Sequence, residues 1–163
     1  MKYVLDSNVF ITAKNAYYAF DLVPKFWDEL LRCASNGTLK SVDAVREELF
    51  RGNDKLDQWA KDNAGILFDS TDSERIVECY SHVIEWVTAD NRFKPSAQAN
   101  FADCADGWVV AYAMSQDATI VTLETMVDPL VKSRVKIPNV ASHFKVRCIN
   151  TYGMLRELNI KLN

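Results

Sequence analysis

The chain has 163 residues, 48% of them hydrophobic and 25% charged, which supplies the core of one compact domain spanning 1–163 and leaves little length for a second. Its 22 acidic and 19 basic residues give a formal charge of −3, which excludes a global basic field that gathers nucleic acid, so such binding has to come from a local patch. No apolar run reaches the roughly 18 residues of a spanning helix, and polar residues interrupt the stretch from Met1 to Lys14, so a soluble, cytoplasmic protein with no membrane partner is expected.

In chain order, Lys2-Tyr3-Val4-Leu5 reads as a first strand. Pro24 opens a helix with Phe26, Leu30 and Leu31 on one face, and Asn36-Gly37 stops it. Thr38 to Val42 forms a second strand, and Asp43 caps a short helix that packs through Val45 and Leu49 and ends at Arg51-Gly52. Gly65 to Phe68 is the third β-rich run. From Asp72 to Val87, the positions Ile76, Val77, Tyr80, Val83, Ile84 and Val87 follow the helical period, and Asn91 to Pro95 breaks it. A helix over Asp103 to Gln116 leads into a strand at Ala118 to Thr122. The stretch from Asp128 to Phe144, with Pro129 and Pro138, reads as an irregular surface excursion, and Val146 to Ile149 is the last strand. Strands alternating with helices predict an α/β fold. The aromatics Tyr17, Tyr18, Phe20, Phe26 and Trp27 outnumber what one helix face needs; core packing is expected for most, and an interface is the alternative.

The chemistry begins with the acids. A buried parallel strand Tyr3-Val4-Leu5 delivers Asp6 at its carboxyl end, where ligand sites of open α/β sheets lie. The strand through Ile120-Val121-Thr122 delivers Glu124 to the same edge if the two strands are parallel. Asp106 precedes Val109 and Val110 by three and four residues, which sets it over the inward face of its helix, with Asp103 one turn earlier. For Asp103, helix capping is an equal reading. Of the adjacent Glu47 and Glu48, Glu48 is expected on the Val45/Leu49 side. Buried like charges repel, and a divalent cation removes the conflict; hard oxygen ligands favour Mg²⁺ or Mn²⁺. His82 and His143 are too few and too far apart for a catalytic zinc set. Cys33, Cys79, Cys104 and Cys148 lack zinc-type spacing and read as reduced thiols, mostly buried. Such a cluster points to phosphodiester hydrolysis. The densest basic run, Lys132, Arg134 and Lys136 with Lys145 and Arg147 beyond, is the candidate RNA-binding patch, with a solvated loop as the bland alternative.

These residues resemble a family along most of the chain. Tyr3-Val4-Leu5-Asp6-Ser7-Asn8-Val9-Phe10 resembles the apolar strand and Asp-[Ser/Thr]-Asn opening of PIN domains. Ser41-Val42 through Val45 and Glu48-Leu49 resembles their second acidic motif, Asp106-Gly107-Trp108-Val109-Val110-Ala111-Tyr112-Ala113 the third, and Val121-Thr122-Leu123-Glu124 the last. Four motifs in order are far more specific than any one, and Asn8-Val9-Phe10 with Ile137-Pro138-Asn139-Val140 is similar to VapC-like, PIN-related proteins. Glu124 stands where many members carry Asp, which lengthens the arm by one methylene and moves that carboxylate towards a water-mediated role. Asp103 is an extra acid, and which of Asp103 and Asp106 binds metal directly stays open.

The resemblance implies a three-layer α/β/α domain with a central parallel sheet of about five strands, and endonucleolytic cleavage of RNA dependent on Mg²⁺ or Mn²⁺. It implies that Asp6, Glu48 and Asp106 bind the principal metal and that Glu124, with Asp103, completes the set or holds a second ion. Ser7, Asn8 and Thr122 would orient carboxylates or touch phosphate; polar residues past strand ends also serve simply to satisfy backbone groups. A VapC-like toxin further implies a cognate antitoxin and a homodimer as partners. Two other readings compete. One is a non-catalytic PIN-like interaction module, against which retention of all four acidic positions argues. The other is a haloacid dehalogenase-type phosphatase, which needs Asp where Asn8 stands.

Overall fold

The computed structural model describes residues 2–163. Among these residues, β1 (Tyr3–Leu5), β2 (Leu39–Val42), β3 (Phe68–Asp69), β4 (Thr119–Val121) and β5 (Cys148–Ile149) form one sheet in the order β3-β2-β1-β4-β5. All four pairings are parallel, with Leu5 beside Val121 and Val4 beside Lys40. Every residue of β1 and β4 is buried, as strands covered on both faces must be, and their side chains are accordingly apolar or, at Thr119, small. The expected α/β fold on a five-stranded parallel sheet is therefore what forms.

The helices are α1 (Ser7–Thr12), which runs into a π-helical turn over Ala13–Tyr17, α2 (Pro24–Ser35), α3 (Asp43–Phe50), α4 (Lys55–Asp62), α5 (Ala64–Leu67), α6 (Glu74–Thr88), α7 (Pro95–Asp103), α8 (Asp106–Gln116), α9 (Ile137–His143) and α10 (Thr151–Glu157). Pro24 begins α2 as expected, and Ser73 caps α6 by accepting from the Ile76 amide. Most of the early aromatics join the core. Phe26 and Trp27 are buried, Tyr18 stacks on Phe26 at 4.2 Å and Phe20 on Trp27 at 4.1 Å, while Tyr17 stays exposed. No helix among the described residues is long and apolar enough to cross a membrane.

Several elements differ from the sequence expectation. The third strand is Phe68–Asp69; residues Ala64–Leu67 instead prolong the helical path out of α4, with the Leu67 amide donating to Asn63 O at 3.1 Å. The helix expected from Asp103 is two helices, because Cys104 is extended (ψ 175) between α7 and α8. Asp103 thus ends a helix rather than opening one. The excursion from Asp128 to Phe144 contains α9, where Pro138 sits in the first turn and loses no hydrogen bond there. Helix α4 also went unanticipated, although Asp54 caps it by accepting from Leu56 N at 2.9 Å and Asp57 N at 3.0 Å.

Helices α6 and α8 meet closely at Gly107, where an added Cβ would lie 2.9 Å from Tyr80 Cε2 and 3.2 Å from Phe101 Cε1. Tyr80 can therefore lie flat on Trp108, with ring centroids 3.7 Å apart and planes within 3°. That contact fixes the first turn of α8, and with it Asp106.

Candidate active site

The strand order explains why acids distant in sequence meet. From β1 the chain moves outward through β2 and β3, then returns to lay β4 on the other side of β1. The direction reverses between β1 and β4, and a crevice opens beyond the carboxyl ends of strands at such a switch. Asp6 leaves β1 there and Thr122 to Glu124 leave β4 there, tied together by the Asp6 amide donating to Val121 O at 3.0 Å.

Asp6 is only 2% exposed and is held by short hydrogen bonds. Its Oδ1 accepts from the Ser7 amide at 2.7 Å, and its Oδ2 accepts from Thr122 Oγ1 at 2.9 Å. The Thr122 hydroxyl in turn accepts from Asn8 Nδ2 at 3.2 Å and from the Glu124 amide at 3.1 Å, while Asn8 Oδ1 accepts from the Leu123 amide at 3.0 Å. One donor and two acceptors are a hydroxyl's full capacity. Thr122 is thus the hub through which the β1 and β4 ends fix each other. Ser7, Asn8 and Thr122 all stand beside the Asp6 carboxylate, Ser7 through its amide more than its hydroxyl, which is 3.4 Å away.

Glu48 reaches the site from α3, whose Val45 and Leu49 are buried; Glu47 is exposed. Glu48 Oε1 accepts from the Ala105 amide at 2.8 Å, bridging α3 to the break between α7 and α8. Asp106, on the first turn of α8, faces the same crevice. Burial pushes its carboxyl up to about 7, helped by the negative charges of Asp6, Glu124 and Glu48 and partly offset by a hydrogen bond with the Cys104 thiol. Asp6 is likewise pushed up to about 6, first by burial and then by Glu124 and Glu48, against the lowering hydrogen bonds from Thr122 and Ser7. The four acidic positions therefore form one electrostatic cluster. Asp103 stands outside it: the residue is exposed, and its charge acts on the Tyr80 hydroxyl instead.

Glu124 is engaged from the other side. Lys136 Nζ donates to its Oε1 and the Ile137 amide to its Oε2, each at 2.8 Å. Beside Asp106 and Glu124 lies a cavity of about 210 Å³ whose lining includes Asn100, Cys104, Arg134 and Lys136. Of the expected basic patch, then, Lys136 belongs to the site, Arg134 borders it, and Lys132 is exposed just outside.

As the side chains stand, no three His, Cys, Asp or Glu among the described residues form a metal-holding group; their oxygens face Thr122, Ala105, Lys136 and Ile137. The chemistry of the donor set nonetheless fits a hard divalent cation: sheltered, mutually repelling carboxylate oxygens with no imidazole beside them, and a neighbouring Cys104 thiol that burial pushes up to about 12 and so keeps protonated. Sequence reasoning missed the Ala105 amide, and it named Lys136 for the basic patch without its contact to Glu124. A backbone amide leaves no trace in side-chain identity.

The family profile described as "Domain of unknown function (DUF4411)" matches residues 3–162. The chain belongs to the DUF4411 family. None of the curated proteins matches it. Among solved structures, this DUF4411 chain is similar to one described as the crystal structure of VapBC2 from Rickettsia felis bound to a DNA fragment from their promoter. The TM-score is 0.56 at 17% identity, covering 92% of this chain and 98% of that one. At that identity the likeness concerns the fold alone.

Proposed function

We propose that this DUF4411 protein is a PIN-type endoribonuclease, dependent on Mg²⁺ or Mn²⁺, and the toxin of a VapC-like toxin–antitoxin pair. The observation that carries the reading is the convergence of Asp6, Glu48, Asp106 and Glu124 on the β1/β4 switch point, where burial and mutual repulsion hold Asp6 and Asp106 well above the ordinary carboxylate range. Clusters of that kind sit more often at functional sites than elsewhere.

In this reading Asp6, Glu48 and Asp106 hold the cation, with Glu124 at the edge of the set. The cation supplies water activation near neutral pH and neutralises charge on the phosphate. Thr122, Ser7 and Asn8 keep Asp6 from swinging out of the crevice, and the Ala105 amide does the same for Glu48. Arg134 and Lys136, on the cavity wall, and Lys132 beyond it offer positive charge to RNA phosphates. An antitoxin as partner draws support from the VapBC2 likeness; a homodimer is the other expected assembly.

The test is sequencing of RNA ends in cells expressing wild type or Asp6→Asn. New ends that appear with the wild type and vanish with the variant support the nuclease; identical ends in both sink it. The arrangement of the carboxylate oxygens, each facing a protein donor rather than a shared centre, favours one second reading: a PIN-like module that acts only through protein contacts. Calorimetry separates the two, since such a module shows no Mn²⁺ binding that depends on Asp6.

A further inference from the structure

Glu124 differs from its three acidic neighbours in having a cation of the protein's own. The donors found on Asp6 and Glu48 are neutral, the Thr122 hydroxyl and the Ser7 and Ala105 amides. Glu124 instead receives the Lys136 ammonium on one oxygen and the Ile137 amide on the other. The ion pair is largely sheltered, with Lys136 28% and Glu124 16% exposed, so water and salt screen it less than a surface pair. Its frame is firm, because Ile137, Val140 and Ala141 bury α9 in the core.

Charge counting then separates one cation from two. With all four carboxylates ionised and Lys136 included, the crevice carries three net negative charges. One divalent cation leaves it mildly negative, whereas two make it net positive in a desolvated site and set the second ion against the Lys136 ammonium. We propose that Lys136 takes the place of a second divalent cation: by holding Glu124 it keeps that carboxylate out of the ligand set and limits the chain to one ion, bound by Asp6, Glu48 and Asp106. This rests on the metal-dependent reading above and makes Lys136 a positioning residue. The second positive centre on the substrate side is then fixed in the protein, on the wall of the cavity that Arg134 also lines.

The experiment counts Mn²⁺ per chain by calorimetry, with the free ion followed by electron paramagnetic resonance, for wild type, Lys136→Met, Lys136→Gln and Lys136→Arg, each checked for folding by circular dichroism. Wild type and Lys136→Arg are expected to bind one ion. Lys136→Met and Lys136→Gln, which remove the charge, should bind a second ion or bind Mn²⁺ about tenfold more tightly. Two ions on the wild type, or uncharged variants that match it in number and affinity, overturn the proposal while leaving the nuclease reading standing. No Mn²⁺ on the wild type, or binding that survives Asp6→Asn, removes the metal reading itself and this inference with it.

Discussion

Without a cation the carboxylate cluster should weaken the fold, and Asp106→Asn measures by how much. The Asp106 carboxyl is held at about 7 against an ordinary 3.8. An unfolded chain therefore ionises this group long before the folded one does. Between those two values the folded state binds more protons, so stability is lost as pH rises, and the loss is complete above about 7. At roughly 1.36 kcal/mol per pH unit, the interval corresponds to a ceiling of about 4 kcal/mol. Asn keeps an acceptor for the Cys104 thiol but forfeits the favourable charge at the start of α8, about 0.3–1 kcal/mol, and local relaxation absorbs part of the rest. A net gain of about 1–3 kcal/mol is expected for the variant at about pH 8 in chelator, or a rise of roughly 2–10 °C in Tm. The gain should shrink as pH falls below about 7 and vanish only below about pH 4, where the carboxyl is protonated in the unfolded chain as well. Saturating Mn²⁺ should reverse the order, because only the wild type gains ligand stabilisation. Thermal denaturation followed by circular dichroism across that grid decides the matter. An Asn variant no more stable than wild type in chelator at the higher pH, or one whose advantage persists in acid, would refute the reasoning.

Other substitutions probe single links. Thr122→Val keeps the shape but removes the hydroxyl that serves Asp6, Asn8 and the Glu124 amide; Mn²⁺ affinity measured by calorimetry should fall about 10–100-fold, and unchanged affinity would remove Thr122 from the site. Gly107→Ala places a methyl against Tyr80 and Phe101, and should cost about 1–3 kcal/mol in urea denaturation. Asp103→Asn should leave Mn²⁺ binding intact while Asp106→Asn weakens it, the opposite result favouring the outer acid. Lys132→Ala with Arg134→Ala should lower the slope of log K against log salt for single-stranded RNA binding by about 1–2; an unaltered slope makes the patch a solvated surface.

How much was legible in the sequence follows from the range of the interactions involved. Asp6 and Glu124 were readable because each ends a short apolar run, and the only further assumption, parallel strands, is what a βαβ alternation enforces. Glu48 was separable from Glu47 by its place beside Leu49 on a face that Val45 also marks. Asp103 and Asp106 were not separable, because a spacing of three fits one continuous helix as well as two helices broken at Cys104. The short helices escaped for a related reason: α9 has seven residues and two of its signals, Pro138 and the basic residues before it, read equally as loop. The Lys136 contact with Glu124 crosses an irregular segment, where no periodicity reports which side chains turn inward.

The acid cluster is also where the sequence departs from its own folding logic. Elsewhere, burial goes mostly to apolar side chains, to polar ones with neutral partners, such as Ser41, whose hydroxyl donates to Leu5 O at 2.6 Å just beneath the site, or to an acid with a cation of its own, as Asp57 has in Lys61 at 2.9 Å. At the β1/β4 edge the chain instead gathers four carboxylates and supplies one ammonium, which leaves a charge imbalance that no packing interaction offsets. A merely structural site would relax under this strain by exchanging Asp6 or Asp106 for Asn, which has nearly the same shape and no charge to desolvate. Here both positions carry Asp. Buried charge of one sign, held in place by Thr122 and by the Ala105 amide rather than neutralised, is the arrangement expected where the missing positive charge arrives from outside the chain.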